Sequence, residues 1–228
     1  MFEGKYLYNN KLKGKEYINE KLEYEGEYLY NKKWSGKGYD KNGNIIYKLK
    51  NGNGKVKEYD YKGRLEFEGE YLNGKRNGKG KEYFYAKLEF EGEYLNGLRN
   101  GKGKVYHDNG ELIFEGEFLI GKRNRKGKEY FITGDLGFEG EYLNGKRNGK
   151  GKEYYRNGNL RFEGEYLNGS INGTGKEYND NSELIFEGKY LSGKKWNGKR
   201  KEYSDNVKIN YEDECVNGKR WKGMWFML

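Results

Sequence analysis

Phe67-Glu68-Gly69-Glu70-Tyr71-Leu72-Asn73-Gly74-Lys75-Arg76-Asn77-Gly78-Lys79-Gly80-Lys81-Glu82-Tyr83 recurs without a change at Phe138–Tyr154. Close copies begin at Phe2, Tyr24, Phe90, Phe114, Phe162 and Phe186, and a decayed one at Tyr211. A fixed period means one supersecondary unit stacked on itself. The copies end at Tyr17, Tyr59, Tyr83, Tyr106, Tyr130, Tyr154, Tyr178 and Tyr203, and the later ends are spaced by 23 to 25 residues. Residues 43–59 form a weakened copy, without the Phe-Glu-Gly opening and with Val56 where a glycine is expected. About nine copies and an apolar remnant over about 204–228 fill the chain with no linker, which predicts a single domain over residues 1–228.

Each copy reads as a β-hairpin. Residues 65–71 alternate with period two, the mark of a strand with two unlike faces. Asn73-Gly74 and Asn77-Gly78 offer the positive-φ residues of a tight reversal, and residues 78–84 form the return strand. The charges propose a register in which Tyr71 faces Gly78, Gly69 faces Gly80, Glu70 faces Lys79 and Glu68 faces Lys81. Opposite charges then meet on one face, at ~0.2–1 kcal/mol per pair. The other face carries the aromatic rings over a floor of two glycines, a close approach that suits glycine. No helical periodicity of useful length occurs. The expected fold is all-β, an elongated solenoid of consecutive antiparallel hairpins forming a twisted, grooved single sheet.

Composition fits a thin structure. The 228 residues are 33% apolar and 36% charged, but 17% aromatic, with 37 Gly and no Pro. A solenoid needs only neighbour-to-neighbour burial, so few aliphatics and many aromatics suffice. Cys215 is the single cysteine, so no intramolecular disulfide forms and a reducing compartment is the simpler reading. With the first copy starting at Phe2 and no apolar run of spanning length, a cytoplasmic protein is expected.

The motif Phe/Tyr-Glu-Gly-Glu-Tyr, then Asn-Gly-Lys-Arg, then Asn-Gly-Lys-Gly resembles the MORN repeat (membrane occupation and recognition nexus). The resemblance covers nearly the whole chain. It implies a grooved array of hairpins whose aromatic and glycine positions fall at Phe67, Gly69, Tyr71, Gly78 and Gly80. It also implies a scaffolding role through a partner protein, self-association or membrane attachment. The Tyr-rich linkers with Asn-Gly look like related bacterial repeats described as antitoxin-like. One departure stands out: Glu82, Glu129 and Glu153 occupy positions where the family usually has an aromatic residue.

Little in the chain suggests catalysis. One histidine, His107, in a linker turn, and one cysteine some four copies away supply neither a metal cluster nor a nucleophilic pair. Carboxylate pairs such as Glu68 and Glu70 recur in every hairpin, as a cross-strand ladder does. A non-enzymatic array without cofactors or metal is expected.

The expected protein-binding face comprises Phe67, Tyr71, Phe90, Tyr94, Phe114, Phe118, Phe138, Tyr142, Phe162 and Tyr166. It would accept an extended segment or an amphipathic helix of another protein. The alternative is a ridge of turn charges, Lys75, Arg76, Lys122, Arg123, Lys146 and Arg147, meeting an anionic membrane lipid such as a phosphoinositide, ahead of RNA. The net charge of +9 agrees with it, although the signs alternate evenly. A carbohydrate ligand is a third class, disfavoured by only four Trp. Trp221, Trp225 and Phe226 sit in an apolar end that reads as a cap on the last hairpin or as the seam of a homodimer.

Overall fold

The computed structural model describes residues 1–204 and 207–221. Among the described residues every regular element is a β-strand. Contacts divide the chain into two compact units, Met1–Glu111 with Phe118–Gly121, and Leu112–Glu117 with Lys122–Leu228.

In the first unit, β1 (Phe2–Leu7), β2 (Asn10–Ile18), β3 (Lys21–Leu29), β4 (Lys32–Tyr39) and β5 (Ile45–Leu49) form one antiparallel sheet in sequence order. A second run follows, of β6 (Gly54–Tyr59), β7 (Leu65–Leu72), β8 (Lys75–Phe84), β9 (Lys87–Leu95) and β10 (Leu98–Tyr106). The second unit holds most of β11 (Leu112–Leu119), then β12 (Lys122–Tyr130), β13 (Leu136–Leu143), β14 (Lys146–Tyr154) and β15 (Leu160–Leu167). It continues through β16 (Ser170–Tyr178), β17 (Leu184–Leu191), β18 (Lys194–Ser204), β19 (Val207–Val216) and β20 (Lys219–Trp221). From β12 onward each strand pairs with the next, so the consecutive antiparallel hairpins expected from the repeat are present.

The hairpins close on two residues. Asn73 and Gly74 have φ of 53° and 70°, both positive as a type I′ turn requires, and Leu72 pairs with Lys75. Asn77-Gly78 therefore does not form the reversal; it lies inside β8. Gly78, at φ 79°, makes a bulge there, so that Tyr71 faces Arg76 rather than Gly78. Glu68 opposite Lys81 and Gly69 opposite Gly80 are as the charges proposed. The pairing of a tyrosine with the bulge glycine does occur, but with the next hairpin: Gly78 faces Tyr94 and Lys79 faces Glu93.

The bulge also ties the turns together. Oδ1 of Asn148 accepts from the Asn168 backbone N–H at 3.3 Å, and Oδ1 of Asn172 accepts from Ser192 at 3.2 Å. Beside them the Gly145, Gly169 and Gly193 amides donate to the carbonyls of Arg123, Arg147 and Ile171 at 2.8, 2.9 and 2.8 Å. Asn-Gly thus serves twice per copy, once to turn the chain and once to bond the next turn to it.

The glycine floor is sterically enforced. A Cβ on Gly140 would lie 2.6 Å from the Phe138 ring and 2.7 Å from the Gly151 Cα, and one on Gly151 would lie 2.6 Å from that same ring. This explains an interruption in the first unit. Between β5 and β6 only the bridge of Lys50 with Asn53 forms, although the Asn51-Gly52 turn is in place. Tyr47 and Val56 occupy there the positions of the paired glycines. Two side chains cannot share that crossing, and the ladder ends. The Tyr47 ring instead lies over Gly38, where a Cβ would collide with it. Tyr47, Leu49 and Val56 are all buried.

Candidate functional site

The expected binding face is largely the core. Phe67, Phe90, Phe114 and Phe138 are 0% exposed and Phe162 is 1% exposed. Tyr94, Phe118, Tyr142 and Tyr166 are buried too, and Tyr71 is half-buried. The rings interlock edge to face: Phe138 meets Tyr142 at 5.6 Å and Tyr166 at 5.4 Å between centroids. These side chains are thus packed within each unit and do not present the open aromatic surface that the sequence led us to expect.

What covers them is an arginine two residues past the turn, that of a Lys-Arg pair at Arg76, Arg123 and Arg147 and that of Leu98-Arg99 in one copy. In the second unit the guanidinium of Arg123 lies 4.2 Å over the Phe114 ring and that of Arg147 lies 3.9 Å over Phe138. In the first, Arg76 lies 4.1 Å over Phe67 and Arg99 lies 4.3 Å over Phe90. A guanidinium is flat and weakly hydrated, so it can lid a ring and keep its hydrogen bonds.

Those bonds go to the glutamates that depart from the family pattern. Glu153 alternates along β14 with Gly149 and Gly151, which puts it on the aromatic side, facing Phe138 and Phe162 from the intervening strand. Arg147 donates to Glu153 at 2.6 Å and also to Glu129, while Arg123 donates to Glu129 at 2.8 Å and Arg161 reaches Glu153. In the first unit Arg76 joins Glu58 at 2.5 Å and Glu82 at 2.9 Å, and Arg99 also bonds Glu82. Each unit therefore carries a ladder of alternating Arg and Glu above its rings. The signal was in the sequence: a carboxylate on the apolar side of an alternating strand must find a cation, and the arginine six residues before it is on hand.

The alternative ridge divides in two. Arg76, Arg123 and Arg147 are half-buried and neutralised in the ladder, so they are not turn-tip charges. Lys75, Lys122 and Lys146 are exposed. The opposite face is a solvated mosaic, with Lys152 at 3.7 Å from Glu163 and Lys176 at 3.4 Å from Glu187. There the Tyr83, Tyr130 and Tyr154 hydroxyls each donate at 2.7 Å, to Glu68, Glu115 and Glu139. Burial first, and the accepting carboxylate second, push all three up to about 12.

His107 lies in an exposed loop, with Nδ1 at 3.1 Å from the Asn109 side chain. Of the apolar end, Trp221 is exposed, whereas Trp225 and Phe226 fall outside the described residues.

Five consecutive stretches match the MORN repeat: residues 67–86, 90–111, 114–136, 138–160 and 162–183. No curated protein matches the chain. MORN repeats are non-enzymatic repeat modules that commonly bind proteins or membranes. The repeat motif, the two-residue hairpins it encodes and the five matches agree, and the chain belongs to the MORN-repeat family.

Proposed function

We propose that this chain is a non-enzymatic scaffold that binds a partner protein along its repeated hairpins. The observation that supports it best is repetition on a fixed backbone. Similar side chains recur from hairpin to hairpin, and successive turns of the second unit are joined by amide hydrogen bonds of 2.8 to 2.9 Å. A surface held this way offers similar contacts at regular intervals and loses little freedom on binding. Since the rings are covered, the partner meets the Arg-Glu ladder, the solvated face or the hairpin ends.

Affinity capture from the source cell's lysate, with low-salt and high-salt washes, tests this. One discrete protein retained at high salt is the expected result. Recovery of lipid or RNA alone, lost as salt rises, overturns it in favour of an adaptor to anionic surfaces. The exposed turn lysines Lys75, Lys122 and Lys146, with the net charge of +9, are what favour that second reading.

A further inference from the structure

In the second unit Leu143, Leu167 and Leu191 end β13, β15 and β17 and are 50%, 50% and 48% exposed. Each follows a buried tyrosine, so strand alternation places it on the solvated side, at the rim beside the turn. Leu143 is opposite Lys146 and Leu191 is opposite Lys194 across the turn; Ser170 takes that place beside Leu167. Lys122, Lys146 and Lys194 are exposed. The rim is therefore a file of half-open leucines flanked by lysines. Just inward, Glu141 and Glu165 turn to the bulge, accepting from the Lys150 and Thr174 amides at 3.4 and 2.7 Å. Their charge is partly answered within the sheet, and the rim stays basic.

Spacing admits a helix and excludes a pleated strand. Successive leucines are two strand widths apart, ~9.6 Å. Two turns of an α-helix, seven residues, advance ~10.5 Å. A helix lying across the strand ends would set one apolar residue per heptad against each leucine, with a mismatch of about 1 Å per step. An extended strand advances ~3.3 Å per residue with side chains on alternate faces, so its like-facing positions fall every ~6.6 Å and miss the file.

We propose that this rim of the second unit binds the apolar stripe of an acidic amphipathic α-helix from a partner protein. The assignment rests on the scaffold reading and deepens it by naming a surface and a partner chemistry. The leucines supply the desolvated contacts and the lysines set orientation against acidic residues flanking the stripe.

The test uses the full chain and a synthetic three-heptad peptide of about 21 residues, with one Leu per heptad flanked by Glu. A control peptide has the same composition in scrambled order. Fluorescence anisotropy measures affinity and circular dichroism the peptide's helix content. The first peptide should bind and gain helix, and the triple variant Leu143→Thr, Leu167→Thr and Leu191→Thr should weaken it about a hundredfold, with an unchanged thermal midpoint. Thr is at home in strands, and these positions are half-exposed, so folding is preserved. Lys146→Glu with Lys194→Glu should slow association and flatten the salt dependence. No binding, equal binding of the scrambled peptide, or indifference to the triple variant each overturns the proposal. So does a result in which that variant loses phosphatidylserine vesicles and leaves the peptide unaffected. A protein captured from lysate that binds the triple variant at full strength overturns the rim assignment and leaves the scaffold reading intact.

Discussion

The guanidinium of Arg147 lies 3.9 Å above the centroid of the Phe138 ring and at the same time bonds Glu153 on its own strand, β14, and Glu129 on β12, beyond the ring. One side chain thus covers a fully buried ring and links two carboxylates that face the apolar side. Arg147→Ala removes the cover and leaves Glu153, whose side chain is 9% exposed, with Arg161 alone. The expected loss is about 2 kcal/mol, seen as a lower urea midpoint with unchanged m. Arg147→Lys keeps the charge but not the flat, two-sided fork, and should recover less than half of it. A loss under about 0.5 kcal/mol for Arg147→Ala, the size of an exposed ion pair, would mean the ladder is incidental.

Two tyrosines at equivalent positions should respond oppositely to losing a hydroxyl. The Tyr190 hydroxyl donates to Glu177 at 2.8 Å, whereas that of Tyr166 is buried with no hydrogen-bond partner among the described residues. Tyr190→Phe should cost about 1 kcal/mol, and Tyr166→Phe should be neutral or stabilise slightly, because it removes a buried, unsatisfied group. Denaturant titration of both variants decides it, and equal losses would refute the distinction.

The hairpin was legible in the sequence because Phe67, Gly69 and Tyr71 mark one face while Glu68 and Glu70 mark the other. The same charges could not say which neighbour a strand meets with its bulge. Lys79 finds a glutamate opposite it on either side, Glu70 within the hairpin by the expected register and Glu93 on the next by the observed one. Complementarity alone leaves that choice open, and the two-residue turn at Asn73-Gly74 decides it by pairing Leu72 with Lys75. The alternation groups the rings on one face, but that face is covered, because Arg76 and Arg147 lie over the rings instead of standing at the turn tips. Glu82 and Glu153, on the same face as the rings, were the clue to where those arginines go. The break beside Val56 was visible as a weakened copy; its consequence needed the close crossing of the two glycine backbones, which no spacing reveals.

Arg125 tests the bulge. It sits where other copies have Gly78, Gly101, Gly149 and Gly173, and it holds φ at 58°, a left-handed conformation that costs a side-chain-bearing residue about 1 kcal/mol or more. Its ion pair with Glu117 is long, 3.5 Å, and the arginine is largely exposed, so little is lost with it. Arg125→Gly should therefore stabilise by about 0.5 kcal/mol, net of the greater freedom of glycine in the unfolded chain. The reverse change, Gly149→Ala, imposes φ of 93° on alanine and sets a Cβ 3.1 Å from the Glu141 carboxyl carbon. That should cost about 1–2 kcal/mol. Thermal midpoints of the two variants should move in opposite directions.

High pH should dismantle the sheet from its solvated face. Tyr83, Tyr130 and Tyr154 are pushed up to about 12, by burial first and then by the glutamates that accept their protons, whereas a tyrosine in the unfolded chain ionises near 10. The folded state thus holds protons that the unfolded state has released. The stabilisation linked to them is complete below pH ~10 and is lost as pH climbs towards ~12. Tyrosinate absorbance near 295 nm and strand circular dichroism, followed together, should show a late group of tyrosines ionising as the strand signal falls. Replacing the acceptor by Glu139→Gln should bring the Tyr154 titration to lower pH, because a neutral amide no longer opposes the tyrosinate. A Tyr154 that ionises unchanged in that variant would assign its shift to burial alone.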